Sequence, residues 1–278
     1  MILFVTFFFT ASLHVSKIHK EVIMRRKTFT LKISRIFYFI ALLSFIFAAI
    51  YVPLRAIIDE EYRKNTEFTI MIFQTFFGLF IINLPSFLEK KLAWQIPPLF
   101  SSAFTLFLWG AIFAGEVWEF YYLVPVWDDI LHLISSMMAA MLGFSLIDIL
   151  NSRENLSSLK LSAFFVSAFS VCFAVTMGVL WEIYEFTFDG ILGLNMQKFA
   201  TSSSDSSGIL SNLSGRAALV DTMSDLIIDT VGALLVSVFG YISLRLNKGW
   251  LNAFKVEINP SDGQNGKACH IPTSPPNK

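Results

Sequence analysis

Six stretches of about 20 predominantly apolar residues constrain this chain more than any other feature, because each is long enough to cross a hydrocarbon core of about 30 Å at about 1.5 Å per helical residue. They fall at roughly 35–58, 66–88, 97–119, 129–150, 160–186 and 218–245. In lipid each backbone amide must find its partner within the protein, so segments of this length form helices. The expected fold class is all-α, a polytopic transmembrane helix bundle of about six spans. Charged residues make up only 15% of the chain, against roughly 25% in soluble domains. Formal net charge is zero, so no overall basic balance points to nucleic acid as a partner. The partner implied is the lipid bilayer; oligomeric state is open.

Three segments follow from this pattern. Residues 1–34 form a basic N-terminal segment, 35–245 the six-helix transmembrane domain, and 246–278 a polar tail expected to be disordered. Met1–Val15 is apolar but short for a span, and it lacks the positive leader region and cleavage site of a signal peptide. Met24 precedes Arg25-Arg26-Lys27, so residues 1–23 read as an over-extended gene start or a weak anchor. The loop 187–217 is the long one between helices, and its Thr201–Gly208 run is flexible by composition and suited to a lid. Cys172 and Cys269 have no evident disulfide partner.

Basic residues set the orientation. Sixteen of the 21 Lys and Arg residues fall in the N-terminal segment, the tail and alternate loops. By the positive-inside rule these are cytoplasmic, giving a multi-pass protein of the cell membrane with both termini inside.

That topology gathers the acids at the opposite, outer face. Glu116 and Glu119 end the third span. Asp128 and Asp129 open the fourth, with His132 one turn in. Glu182 and Glu185 end the fifth, and Asp189 follows. Asp221, Asp225 and Asp229 recur at i, i+4 and i+8 in the sixth and stack on nearly one helix face. Asp229 lies about two turns in, roughly 10 Å at about 1.5 Å per residue. Carboxylates at that depth are costly and mark functional sites.

Each of these residues also has a structural reading. Thr222-x-x-Asp225 resembles a capping box, and acids favour a helix N-terminus through its dipole. One of Asp128 and Asp129 suits an N-cap. Glu182 and Glu185 stand beside Trp181 and Tyr184, where interfacial residues gather. Capping does not reach Asp229. The segment Gly115-x-x-Trp118-Glu119 echoes Gly178-x-x-Trp181-Glu182, and each leads to an aspartate-led helix, the mark of a degenerate repeat. Phosphate loops, His-Glu-x-x-His and nucleophile elbows do not occur in the sequence.

Trp127-Asp128-Asp129-Ile130-Leu131-His132, Trp181-Glu182-x-x-Glu185-Phe186 and Gly215-Arg216-x-Ala218-Leu219-x-Asp221-Thr222-Met223-x-Asp225-Leu226-Ile227-x-Asp229 together resemble the bacterial YjdF-like family of membrane-spanning proteins over about residues 35–245. The resemblance implies a fold and no established reaction. More distantly, Asp128, His132, Glu182 and Asp225 resemble elements of the VanZ-like pattern. Glu185 and Asp229 stand where that pattern has Gln and Asn, which makes this chain more acidic.

Three readings of the acids remain. The first is a divalent-cation site from Asp129, His132, Glu182, Asp225 and Asp229, with Asp128, Glu185 and Asp221 as further polar candidates. Mixed carboxylate and imidazole ligands suit Mn, Zn or Fe(II). Such an ion would bind or act on envelope lipid headgroups, and whether it catalyses a reaction is open. The second is a proton-coupled carrier using buried acids and His132 as a relay. Few polar residues line the inner halves of the spans, Thr30, Ser44 and Ser145 among them, which weighs against a through-path. The third is a non-catalytic membrane scaffold.

Overall fold

The computed structural model describes residues 2–59, 66–92, 94–151, 161–202, 210–246, 248–249, 251 and 255–258. The serine run at 203–208 and the tail beyond residue 258, with Cys269, lie outside the described residues.

The chain is helical, in the order α1 (Ile2–Ile58), α2 (Thr66–Ile81), α3 (Leu84–Leu92), α4 (Pro98–Leu108), α5 (Phe120–Leu123), α6 (Trp127–Asn151), α7 (Ala163–Leu192) and α8 (Val220–Arg245). A π-helical stretch, Trp109–Val117, continues α4, and a 3₁₀ turn, Gly215–Leu219, leads into α8. Short antiparallel strands add two ties. β1 (Trp94–Gln95) pairs with β4 (Glu257–Ile258), and β2 (Ala200–Ser202) pairs with β3 (Leu210–Asn212).

Six helical regions are long and apolar enough to cross a membrane: Phe29–Ile58, Ile70–Lys91, Pro98–Val117, Trp127–Leu150, Ala163–Leu192 and Gly215–Arg245. The all-α six-span fold is therefore present, with shifted edges. The second span is interrupted by a turn at Ile82–Asn83, and Pro85 falls in the first turn of α3, where its missing N–H costs nothing. The fifth runs past residue 186 to Leu192, where Gly193 adopts a left-handed conformation and its N–H caps the Asp189 carbonyl. Ser162 starts that helix by accepting the Phe165 N–H.

Two packing groups result. Phe45, Ala48 and Val52 of α1 meet Met71 of α2 and Leu108, Ile112 and Phe113 of α4 and its π-helical extension. Ala140, Phe144 and Ile147 of α6 meet Val166 and Ala174 of α7 and Ala233 and Val236 of α8. The second group is closely drawn together. A Cβ at Gly143 would lie 2.9 Å from the Ser170 Cα, and the Ser170 hydroxyl donates to the Ala140 carbonyl between the helices. Such small-residue contacts replace a hydrophobic driving force that lipid does not supply. Trp127 joins the groups by donating from Nε1 to the Gly110 carbonyl, 3.2 Å away.

At the far end of α6 the chain returns after α8. Lys255 pairs with Asp148, the Val256 N–H donates to Ser145 Oγ at 3.0 Å, and β4 then joins β1.

Candidate functional site

One end of α6, α7 and α8 encloses an acidic chamber. Its walls follow from helical spacing. Asp128 and His132 lie at i and i+4 on α6, so they share a face. Asp221, Asp225 and Asp229 form the stripe on α8 that their spacing predicts, and Asp225 and Asp229 are 1% and 2% exposed. On α7, Glu182, Glu185 and Asp189 are buried while the neighbouring Trp181, Ile183, Phe186 and Phe188 are exposed. The acids thus turn into the bundle and the aromatics outward, the reverse of an interfacial acid in headgroup water.

Two caps expected from sequence are not used. Helix α8 has Leu219 at its N-cap with no side-chain hydrogen bond, so Asp221 and Thr222 sit inside the helix and serve other partners. Helix α6 begins at Trp127, which places both Asp128 and Asp129 in its first turn rather than ahead of it.

His132 is the hub. Its Nδ1 lies 3.4 Å from Asp229 Oδ2. Its Nε2 lies 3.9 Å from both Asp128 Oδ1 and Asp225 Oδ2. An N–H at Nδ1 donating to Asp229 leaves the Nε2 lone pair facing the other two carboxylates. One ligand atom from each of Asp128, His132 and Asp225 lies within 4.8 Å of the others. Bonds of about 2.0–2.2 Å to a tetrahedral ion set ligand atoms roughly 3.4 Å apart. The two 3.9 Å separations therefore need only a small contraction. Asp229 stands behind the ring, in the place of the carboxylate that orients a metal-bound histidine. The backbone gives Asp229 its room, since a Cβ at Gly178 on α7 would collide with its carboxylate.

The near ends of these helices are covered by the turn after α7. Asp189 accepts the N–H groups of Met196 at 2.8 Å and Gln197 at 3.0 Å. Asn195 brackets Ala200 through its N–H and its carbonyl. This framework carries Lys198 in a left-handed conformation, φ 46°. Lys198 Nζ reaches Asp128 Oδ2 at 2.6 Å and Asp221 Oδ1 at 3.0 Å. Gln197 Nε2 donates to Glu182 Oε2 at 3.1 Å and to Thr222 Oγ1 at 2.9 Å. Two adjacent loop residues therefore touch all three helices. Partial burial alone would lower the Lys198 pKa, but Asp128 and Asp221 more than offset this and hold it above its ordinary value.

Some polar atoms within these walls have no hydrogen-bond partner. Among the described residues they include Glu182 Oε1, Asp221 Oδ2, Asp225 Oδ2 and Asp229 Oδ1, all buried. Bare carboxylate oxygens of this kind are costly unless a cation or proton meets them.

Of the residues singled out from sequence, His132, Asp225, Asp229 and Asp128 meet at the centre, with Asp221 joined to them through Lys198. Glu182 lines the wall and is held by Gln197. Glu185 accepts from Trp181 Nε1 at 2.8 Å. Asp129 is partly buried and is not in the Asp128–His132–Asp225 group. Glu116 instead faces Gln74 of α2, whose Nε2 donates to it at 3.1 Å. Tyr121 covers Gly115 so closely that a Cβ there would strike its ring. Burial pushes the Tyr121 phenol well above its ordinary pKa, with Glu116, Asp128 and Glu185 adding to the effect. The Gly115 and Gly178 segments follow different backbone paths. The first ends in a π-helix with Glu119 at φ 58°, whereas the second lies in unbroken α-helix. Gln197 and Lys198 escaped sequence reasoning. Their one signal was a lone lysine in a loop facing an acidic membrane edge.

A family model described as a predicted membrane protein, DUF2238, matches residues 33–246. The chain belongs to that family. The DUF2238 match takes in α6, α7, α8 and the Gln197–Lys198 turn, and is consistent with the YjdF-like resemblance of the acidic motifs. No curated protein and no solved structure matches the chain.

Proposed function

We propose that this membrane protein binds a divalent cation in the chamber between α6, α7 and α8, at the outer face of the cell membrane, and presents it to lipid headgroups. Asp128, His132 Nε2 and Asp225 would hold the ion, with Asp229 orienting the imidazole and Glu182 lining the wall. The observation that carries the reading is the convergence of ligand atoms from Asp128, His132 and Asp225 within 4.8 Å, beside a buried Asp225 Oδ2 that accepts no hydrogen bond and lies 3.9 Å from His132 Nε2. Oxygen and imidazole donors suit Mn, Zn or Fe(II) over thiophilic ions. A bound ion would offer Lewis-acid chemistry or an activated water close to the headgroup plane. The outer placement rests on the bias of basic residues toward the other face.

The test is thermal melting of the detergent-purified protein with a series of divalent cations and with chelator. An upshift specific to one or two ions, absent in Asp225→Ala and reduced in Asp229→Ala, supports the reading. No upshift with any ion overturns it.

A proton-coupled carrier is the second reading, favoured by one observation. The inner part of the same bundle is more polar than its sequence suggests, with Ser136, Ser145, Ser167, Ser170, Ser237 and Ser243 all buried. Ser136 and Ser145 donate to carbonyls of their own helix, while the Ser167 and Ser237 hydroxyls have no hydrogen-bond partner. Proton flux in proteoliposomes that disappears in Asp229→Asn would favour this reading over the first.

A further inference from the structure

The proposed ion accounts for Asp128 Oδ1, His132 and Asp225, but not for the other half of Asp128. Its Oδ2 is bonded to the Lys198 ammonium at 2.6 Å, and the same ammonium meets Asp221 Oδ1 at 3.0 Å. The Asp128 carboxylate therefore bridges two positions, one on each oxygen. Each position has a second aspartate from α8, one turn apart: Asp225 for the first and Asp221 for the second. The second position already holds a cation, and that cation is covalently part of the chain. The aspartates also outnumber the charge that a single ion supplies. Asp128, Asp221, Asp225 and Asp229 surround one lysine and one histidine, and buried carboxylates need compensation.

We infer that the chamber is a two-cation centre bridged by Asp128, in which Lys198 supplies one of the cations in place of a second metal ion. The inference rests on the metal reading above and assigns a second cation-binding position, Asp128 Oδ2 with Asp221. Two-metal sites place their ions about 3.5–4 Å apart with shared carboxylates. Here the position on the second oxygen of the shared carboxylate is taken by an ammonium whose loop is fixed by Asp189 and Asn195. The lysine therefore acts as a specificity residue, holding the metal count at one and fixing the Asp128 carboxylate so that Oδ1 faces His132. An Asp221 oxygen, Oδ2, is left buried without a partner and would be the added ligand once the ammonium is gone.

The experiment counts Mn²⁺ bound to the full-length protein in detergent, by equilibrium dialysis with metal analysis, and records Mn²⁺ electron paramagnetic resonance. The forms compared are wild type, Lys198→Met, Lys198→Arg and Lys198→Met/Asp221→Asn. Lys198 is partly exposed, so these substitutions leave the bundle core untouched. Wild type and Lys198→Arg are expected to bind one ion per chain with an isolated-ion spectrum. Lys198→Met is expected to bind two, with the spectrum of a spin-coupled pair, and to return to one when Asp221→Asn is added. One uncoupled ion in both wild type and Lys198→Met would overturn the inference while leaving the metal reading intact. No ion in wild type but one in Lys198→Met, lost with Asp221→Asn, would overturn the metal reading and uphold the second position. No ion in any form would overturn both.

Discussion

Gly178→Ala tests the site without changing the chemistry of any of its polar groups. A Cβ at this position would sit 2.9 Å from Asp229 Cγ and 3.2 Å from its Cβ, and would collide with Oδ2. Comfortable contacts lie at about 3.5–4.0 Å and the colliding Oδ2 is the nearest atom, so the Asp229 carboxylate must retreat by more than about 1 Å. Overpacking of this size costs about 1–3 kcal/mol. Alanine returns up to about 1 kcal/mol in helix propensity. The net destabilisation is therefore about 0–3 kcal/mol, a modest drop in melting temperature without metal. The effect on binding should be larger. Asp229 is held 3.4 Å from His132 Nδ1, and a retreat releases the imidazole from its orientation. Loss of such a supporting carboxylate typically costs about 10–100-fold in metal affinity. Titration of Mn²⁺ followed by melting temperature would read both quantities. Adding Asp229→Ala should relieve the crowding, so that the double variant melts no lower than Asp229→Ala alone. Unchanged metal affinity in Gly178→Ala, or additive destabilisation in the double variant, would refute the contact as a functional one.

Asp225→Asn is expected to raise the melting temperature of the metal-free protein, because it removes charge from a carboxylate with an unpartnered buried oxygen, and to abolish the metal-dependent upshift; a fall in the metal-free value would contradict this. Lys198 has a folded-state pKa above its unfolded value, so its contribution is complete below the unfolded pKa and is lost as pH rises through the folded one. Melting temperature should accordingly show no Lys198-dependent change near neutrality and a fall above about pH 10 that is absent in Lys198→Met. Lys255→Ala should cost about 1–2 kcal/mol, since the Asp148 side chain it meets is 43% exposed but Lys255, at 13%, also loses a packed stem. Asp128 and Asp148 are separated by about 30 Å of helix at about 1.5 Å per residue, so in a chain with Cys172 and Cys269 replaced by serine, Lys198→Cys and Asp148→Cys should react with an impermeant maleimide from opposite sides of sealed vesicles; labelling of both from one side would refute the span assigned to α6.

The spans were legible because a 20-residue apolar run in lipid has one outcome, and the acids because stripes at i, i+4 and i+8 can only stack. Asp225, Asp229 and His132 belong to this legible part. The choice between Asp128 and Asp129 was not legible, because they flank His132 on either side around the helix at i−4 and i−3 and only the packing of α7 and α8 against α6 decides which side joins the group. Gln197 and Lys198 were hidden for a different reason. Their place is fixed by Asp189 accepting backbone N–H groups seven and eight residues later, a loop geometry without periodicity to betray it. The buried serines of this bundle were hard to read because serine is only weakly polar by hydropathy, so single serines scattered through apolar runs barely interrupt them.

The strand pair β1–β4 has a consequence for how the protein is made. β1 lies between α3 and α4, and β4 emerges only after α8 has been threaded. The two packing groups can each insert and pack as they leave the ribosome, but this seam between them waits for residues 257–258. Closure there follows the insertion of α8, so a chain truncated just after Arg245 would hold six inserted helices whose two groups lack this tie.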